Sequence, residues 1–190
     1  MCFPGKVRST GGIRAEISVN FPYQQGETIR YSWLFMLPKD FISDAPKNRW
    51  WVIGQWHDQP DPKQGETWNH FPSLSPPVLL GLGELEGRPA IGLTYGPTHN
   101  KLKAQTAGPV FVERGMWHRV TCVIHWSQGP EGRAEVFLDN LDKPAMKADG
   151  PNMNNDYPHY WKLGMYRHPG IATDNWIYVD DLEISKLPAP

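Results

Sequence analysis

Three short segments carry most of the residues that could do chemistry, and in each the polar and titratable side chains alternate with apolar ones. Side chains at i, i+2 and i+4 of a strand point to the same face. In Ile13-Arg14-Ala15-Glu16-Ile17-Ser18-Val19, the residues Arg14, Glu16 and Ser18 are therefore expected on one face, with Ile13, Ala15, Ile17 and Val19 toward a core. In Trp50-Trp51-Val52-Ile53-Gly54-Gln55-Trp56-His57, Gln55 and His57 project together. In Tyr160-Trp161-Lys162-Leu163-Gly164-Met165-Tyr166-Arg167, Tyr160, Lys162 and Tyr166 share a face, Gly164 leaves an open spot between them, and Trp161, Leu163 and Met165 go inward. If these faces line one concave sheet, a single cleft holds Arg14, Glu16, Gln55, His57, Tyr160, Lys162 and Tyr166. Such a set combines cations and amide donors that can hold an anion with an imidazole and phenols that can move protons. Each segment alone has an ordinary explanation, since Arg-x-Glu on a strand is more often a surface ion pair and Gln-x-His more often structural. Their combination points to a site.

The elements that must position these residues are strands. Period-two alternation recurs at Arg14 to Asn20, Thr28 to Leu37, Trp50 to His57, Val78 to Leu82, Ala90 to Tyr95, Trp117 to Ser127, Ala134 to Asp139, Tyr160 to Tyr166 and Trp176 to Ser185. Turn signals separate them, among them Gln25-Gly26, Glu131-Gly132 and Asp139-Asn140. With 18 Gly and 19 Pro in 190 residues, long helices are hard to place. No internal repeat is present, so the chain reads as one domain over 1–190, an all-β sandwich of two antiparallel sheets of jelly-roll type. Two long connections, 58–77 and 143–159, are expected to be lids or walls of the cleft. Only about a dozen residues precede the first convincing strand, so the amino terminus reads as trimmed or the sandwich as small.

Composition narrows the partners. Nineteen Lys and Arg against 20 Asp and Glu, with an isoelectric point near 6.6, give no basic field for nucleic acid. No apolar run approaches a membrane span, and no signal peptide is visible at the amino terminus. Cys2 and Cys122 cannot build a disulfide framework or a four-ligand zinc site, and Cys122 reads as a core residue. Nine Trp, with 7 Tyr and 7 Phe, suit either a large β core or a sugar-binding cleft.

Arg14-Ala15-Glu16, Gln55-Trp56-His57 and Tyr160 to Arg167 resemble the three signature strands of jelly-roll polysaccharide lyases, within them the heparin lyase I-like and glucuronan lyase group. His125-Trp126-Ser127, the Val136 to Asp139 strand and the closing Ile177 to Ile184 strand extend the resemblance over nearly the whole chain. Alginate lyases of this architecture carry a second arginine where this sequence has Ser18. The resemblance implies a concanavalin-like jelly roll with a concave cleft. It implies Tyr166 as the proton-transferring tyrosine and His57 as its partner. Gln55 and Arg14 would bind the uronate carboxylate, Lys162 would be a substrate-binding cation, and Tyr160, Glu16 and Arg167 would complete the binding face. The group often carries a structural Ca²⁺, for which Asn155 and the carbonyl of Trp126 are the implied positions; no organic cofactor is implied.

The implied chemistry is removal of the weakly acidic C5 proton of a uronate and expulsion of the 4-linked oxygen. The adjacent carboxylate must be neutralised to accept the enolate charge. A phenol with an ordinary pKa of ~10 needs nearby positive charge to act as base, which Lys162 and a protonated His57 could supply. In glucuronate the C5 hydrogen and O4 lie on one face, so Tyr166 could take and return the proton. In iduronate or guluronate they lie on opposite faces, and His57 as base with Tyr166 as acid is the natural division. Glucuronan is expected ahead of heparin or heparan sulfate, because a net charge of -1 offers no surplus of cations for dense sulfate, and ahead of alginate, because Ser18 replaces the second arginine.

Two other functions are compatible with a sandwich. A non-catalytic carbohydrate-binding module would use Trp56, Trp68 or Trp161 as stacking platforms and would not need both His57 and Tyr166. A glycoside hydrolase needs two carboxylates about the scissile bond, and Asp180, Asp181 and Glu183 of the closing strand read as surface residues. The expected enzyme is a monomer acting on an acidic polysaccharide, secreted or periplasmic, with neither nucleic acid nor membrane as partner.

Overall fold

All nine alternating runs become strands. The computed structural model describes residues 7–9, 12–72, 74–97 and 104–188. Its strands are β1 (Val7–Ser9), β2 (Gly12–Asn20), β3 (Thr28–Met36), β4 (Trp51–His57), β5 (Val78–Leu85), β6 (Arg88–Tyr95), β7 (Gln105–Phe111), β8 (Trp117–His125), β9 (Arg133–Leu138), β10 (Met146–Asp149), β11 (Tyr160–Arg167) and β12 (Tyr178–Lys186). Among the described residues the only helix is one 3₁₀ turn, Pro62–Gln64. One sheet has the order β1-β2-β11-β4-β5-β6-β7, the other β10-β9-β8-β3-β12, and the pairs are antiparallel. This is a jelly-roll sandwich.

Three strands, β1, β7 and β10, were not expected, and all lie at sheet edges. In β7 the Gly108-Pro109 step breaks the pattern, and an edge strand tolerates a proline because one side of it needs no ladder partner. β10 is four residues long and sits inside the 143–159 connection, which is therefore not a plain loop.

The core between the sheets is aromatic. Trp33, Trp56, Trp126 and Trp161 are fully buried, with Tyr31 and Phe35 among them. Trp56 and Trp161 are register partners on β4 and β11 and stack at 5.7 Å and 7°. Trp33 lies 5.2 Å from Trp161, and Tyr31 meets both stacked rings edge-on. Trp56 and Trp161 are thus core residues and not sugar platforms, whereas Trp68 is 61% exposed. Cys122 is buried and free, as expected; Cys2 lies outside the described residues. On β2, Ile17 and Val19 pack against the core, but Ala15 is exposed and Ile13 half-buried. The inward face of β2 is only half covered, because β2 is second from the edge of its sheet, beside the three-residue β1.

Candidate active site

β11 lies between β2 and β4, and this arrangement brings the three segments together. Tyr166 is opposite Arg14, Gly164 opposite Glu16 and Lys162 opposite Ser18; on the other side Lys162 is opposite Gln55 and Tyr160 opposite His57. Trp161, Leu163 and Met165 point into the core, so Tyr160, Lys162 and Tyr166 emerge on the outer face beside Arg14, Glu16, Gln55 and His57.

Contacts link these side chains into a row. The Arg14 guanidinium lies 4.3 Å from the centre of the Tyr166 ring, and Arg14 Nε is 3.9 Å from Glu16 Oε2. Gln55, 2% exposed, donates from Nε2 to Glu16 Oε1 at 2.5 Å. Lys162 Nζ sits 4.9 Å from the centre of the Tyr160 ring, and His57 stacks on the same ring at 5.5 Å and 17°. Tyr166 and His57 therefore stand at opposite ends of the row, and the ring partner of His57 is Tyr160.

Burial and neighbouring charges shift three of these groups. Burial raises the Glu16 carboxyl above its ordinary value of 4.5, although Gln55, Lys162, Arg14 and His57 pull the other way. Tyr160 is pushed up to about 12 by burial and by Asp58, so at neutral pH it is a protonated donor. Lys162 is lowered by burial and by Arg14, against the opposing pull of Glu16.

Glu16→Gln keeps an acceptor for Gln55 and removes a charge held at a cost. Because the folded carboxyl has the higher pKa, its penalty is present above the folded value and disappears below 4.5. Glu16→Gln is therefore expected to melt at the same or a higher temperature at pH 7 and to lose that advantage below pH 4.5. Thermal melts across that range check it; a lower melting temperature at pH 7 would contradict it.

Two sequence expectations need correction. Arg167 points to the opposite face from Tyr166: it is 5% exposed, donates to the carbonyl of Thr173 and lies 5.5 Å from the Trp51 ring. Strand alternation puts it on the inner side, where it holds the chain after β11 instead of binding substrate. Gly164 does not leave an open spot. At φ +141°, a Cβ there would stand 2.3 Å from the carbonyl oxygen of Ala15 and 2.9 Å from Glu16 Cα, so the missing side chain lets β2 and β11 approach.

The implied calcium positions have partners within the chain. Asn155 donates to the Gln59 carbonyl and to Glu66, and its oxygen accepts from Tyr157 N. The Trp126 carbonyl accepts from Gly26 N at 2.8 Å. Ca²⁺ needs 6 to 8 oxygens, and among the described residues no three His, Cys, Asp or Glu side chains cluster to hold a metal. The oxygens of Asn155 and Trp126 thus each have one donor within the chain.

Trp68, one of the stacking platforms considered for a binding module, comes from the 58–77 connection and meets Tyr160 edge-on at 6.3 Å. Several other residues at the site were not singled out beforehand. Trp50 packs on Tyr166 at 4.7 Å, and both rings lie where a side chain on Gly12 would be. Asp58 is fully buried next to His57 and bonded to Asn154. Adjacency to His57 was a usable signal for Asp58; nothing local announced Asn154 or Gly12.

Among solved structures, the chain is similar to an endo-β-1,4-glucuronan lyase from the fungus Trichoderma reesei, with TM-score 0.70 and 19% identity, covering 93% of this chain and 75% of that chain. It is similar to an alginate lyase from Pseudomonas aeruginosa, with TM-score 0.58 and 13% identity over 92% and 75% of the two chains. It is also similar to an endo-1,3-β-glucanase from Streptomyces sioyaensis, with TM-score 0.56 and 12% identity over 90% and 69%. These likenesses establish a fold shared by carbohydrate-active enzymes, two lyases and a glucanase among them. The sequence itself matches the polysaccharide lyase family over residues 2–183, so the chain belongs to that family and is a polysaccharide lyase. Comparison with curated protein sequences gave no match. No helix among the described residues is long and apolar enough to cross a membrane.

Proposed function

We propose that the protein cleaves a β-1,4-linked glucuronan by β-elimination, with Tyr166 taking the C5 proton and returning it to the departing O4. The observation that carries this reading is the shared carboxylate contact of Gln55 and Arg14. Both already reach one carboxylate, that of Glu16, while the Arg14 guanidinium also covers the Tyr166 ring. Donors preset around a carboxylate next to a phenol are what elimination at a uronate requires, because the enolate charge develops on that carboxylate as the proton leaves. Negative charge appearing on the phenol oxygen would face Arg14. Tyr160, protonated at neutral pH, and Lys162 supply donors to neighbouring oxygens of the polymer.

Arg14 and Lys162 are the cations in this row, and Ser18 stands where a further cation would. One carboxylate per sugar suits that set better than dense sulfate does. The likeness to the glucuronan lyase favours the same substrate. Alginate is the second reading, favoured by the placement of His57 and Tyr166 at opposite ends of the row, which suits proton removal and donation on opposite faces of a guluronate. A polymeric substrate implies work outside the cytoplasm, in the periplasm or after secretion.

The test offers glucuronan, heparin, heparan sulfate and alginate in turn and follows the ultraviolet absorbance of unsaturated uronates. A rise on glucuronan is the expected result. A rise on alginate alone would replace the substrate, and reducing ends released without unsaturated product would overturn the elimination.

A further inference from the structure

β4 delivers His57 to the cleft and ends there, and the next residue, Asp58, is a carboxylate with no exposed surface. A buried carboxylate is costly unless it is hydrogen-bonded, and two partners meet it. Asn154, from the segment before β11, donates its amide to Asp58 Oδ2. His57 Nδ1 is hydrogen-bonded to the Asp58 backbone carbonyl at 2.9 Å, and Asp58 Oδ1 lies 3.0 Å from it at ion-pair distance, outside hydrogen-bond geometry. Both of those oxygens are acceptors, so Nδ1 must carry the proton and Nε2 is left as the open nitrogen.

The other charged and titratable groups around His57 keep this arrangement in place. Burial acts to raise the Asp58 carboxyl, but the contacts with His57 and Asn154 and the imidazoles beside it outweigh that and hold it below its usual range. Its neighbour His159 is driven down to about 3 by burial and stays neutral. The Tyr23 hydroxyl accepts from His159 N at 2.7 Å and is paired with His159 Nδ1, 2.8 Å away. Tyr160, stacked on His57, is protonated, and Glu16 and Lys162 lie farther along the row.

We infer that Asp58 is a positioning residue that fixes His57 as the Nδ1–H tautomer, with Nε2 presented to the sugar, and that Asn154 orients the carboxylate that does so. The inference rests on the proposed lyase reading for its catalytic consequence, but the tautomer is a property of the free protein. Asp58→Asn makes the sharpest test. The Asn154 amide needs an acceptor where Asp58 Oδ2 stands, so an asparagine at 58 turns its oxygen to Asn154 and its NH₂ to His57. With a donor in place of Oδ1, Nδ1 is expected to accept and the imidazole proton to move to Nε2.

The measurement is nitrogen-15 NMR of the imidazole side chains without substrate, at a pH where their signals no longer move, with His57→Gln used to assign those of His57. The expected result is a pyrrole-type Nδ1 in the wild type and a pyrrole-type Nε2 in Asp58→Asn. A wild type with Nε2–H overturns the inference, and this arm holds even if the variant does not fold. An unchanged tautomer in a folded Asp58→Asn also overturns it, since the backbone carbonyl would then suffice. With an active enzyme, kcat of the variant is expected to fall about tenfold, a smaller loss than removal of an acid-base group itself brings, because the nitrogen turned to the sugar then carries a proton; KM is expected to stay within about twofold, and a change confined to KM would overturn the positioning role. A pinned tautomer that moves in the variant, in a protein that turns over none of the four polysaccharides, supports the inference and places the failure with the proposed reaction.

Discussion

Tyr166→Phe is expected to lower kcat by about 10² to 10⁴, the usual cost of removing a positioned acid-base group, and to leave the affinity for the uronan nearly unchanged. The substitution removes one oxygen and keeps the ring, so the packing of Trp50 at 4.7 Å and the guanidinium of Arg14 at 4.3 Å has its platform still. Arg14, Gln55 and Lys162, which meet the substrate's carboxylates in the proposed reaction, are untouched. Binding measured by calorimetry and turnover measured by ultraviolet absorbance separate the two effects. Turnover within about threefold of the wild type, far short of the usual acid-base loss, would remove Tyr166 from the proton transfer. A large loss of affinity would make it a binding residue.

Gly164→Ala is expected to destabilise the protein by about 2–4 kcal/mol, which for a domain of this size lowers the melting temperature by roughly 5–15 °C. Two causes act together. The φ of +141° is a conformation L side chains rarely adopt, and the added Cβ would meet the backbone of β2, at 2.3 Å from the Ala15 oxygen and 2.9 Å from Glu16 Cα. Backbone cannot swing aside as a flexible side chain can, so β2 must shift away from β11. β2 carries Arg14 and Glu16, so any protein that still folds is expected to lose much of its turnover with the site geometry. A melting temperature within about 2 °C of the wild type would show that the two strands separate at little cost.

What was legible in the sequence follows from local geometry. Period-two alternation is a property of one strand at a time, so nine of the twelve strands and the outward facing of Glu16, Gln55, His57, Lys162 and Tyr166 could be read without knowing any neighbour. Three of the four edge strands escaped because half of their ladder is free, which admits the Gly108-Pro109 step in β7 and the four-residue β10. Arg167 was misplaced because a motif was carried past the last residue whose facing matched it; alternation alone puts it on the inner side.

The sequence by itself determined that this is an all-β chain and which side chains each strand turns outward, since both depend on residues two apart. Only the tertiary structure decided that β11 runs between β2 and β4, and with it that Tyr166 meets Arg14 while His57 meets Tyr160. It likewise decided that Gly164 serves a close backbone contact, and that Asn154, 96 residues away, holds the carboxylate behind His57. Strand order and register come from how the whole aromatic core packs, with Trp56 against Trp161 setting the pairing of β4 and β11, and no short stretch of chain contains that information.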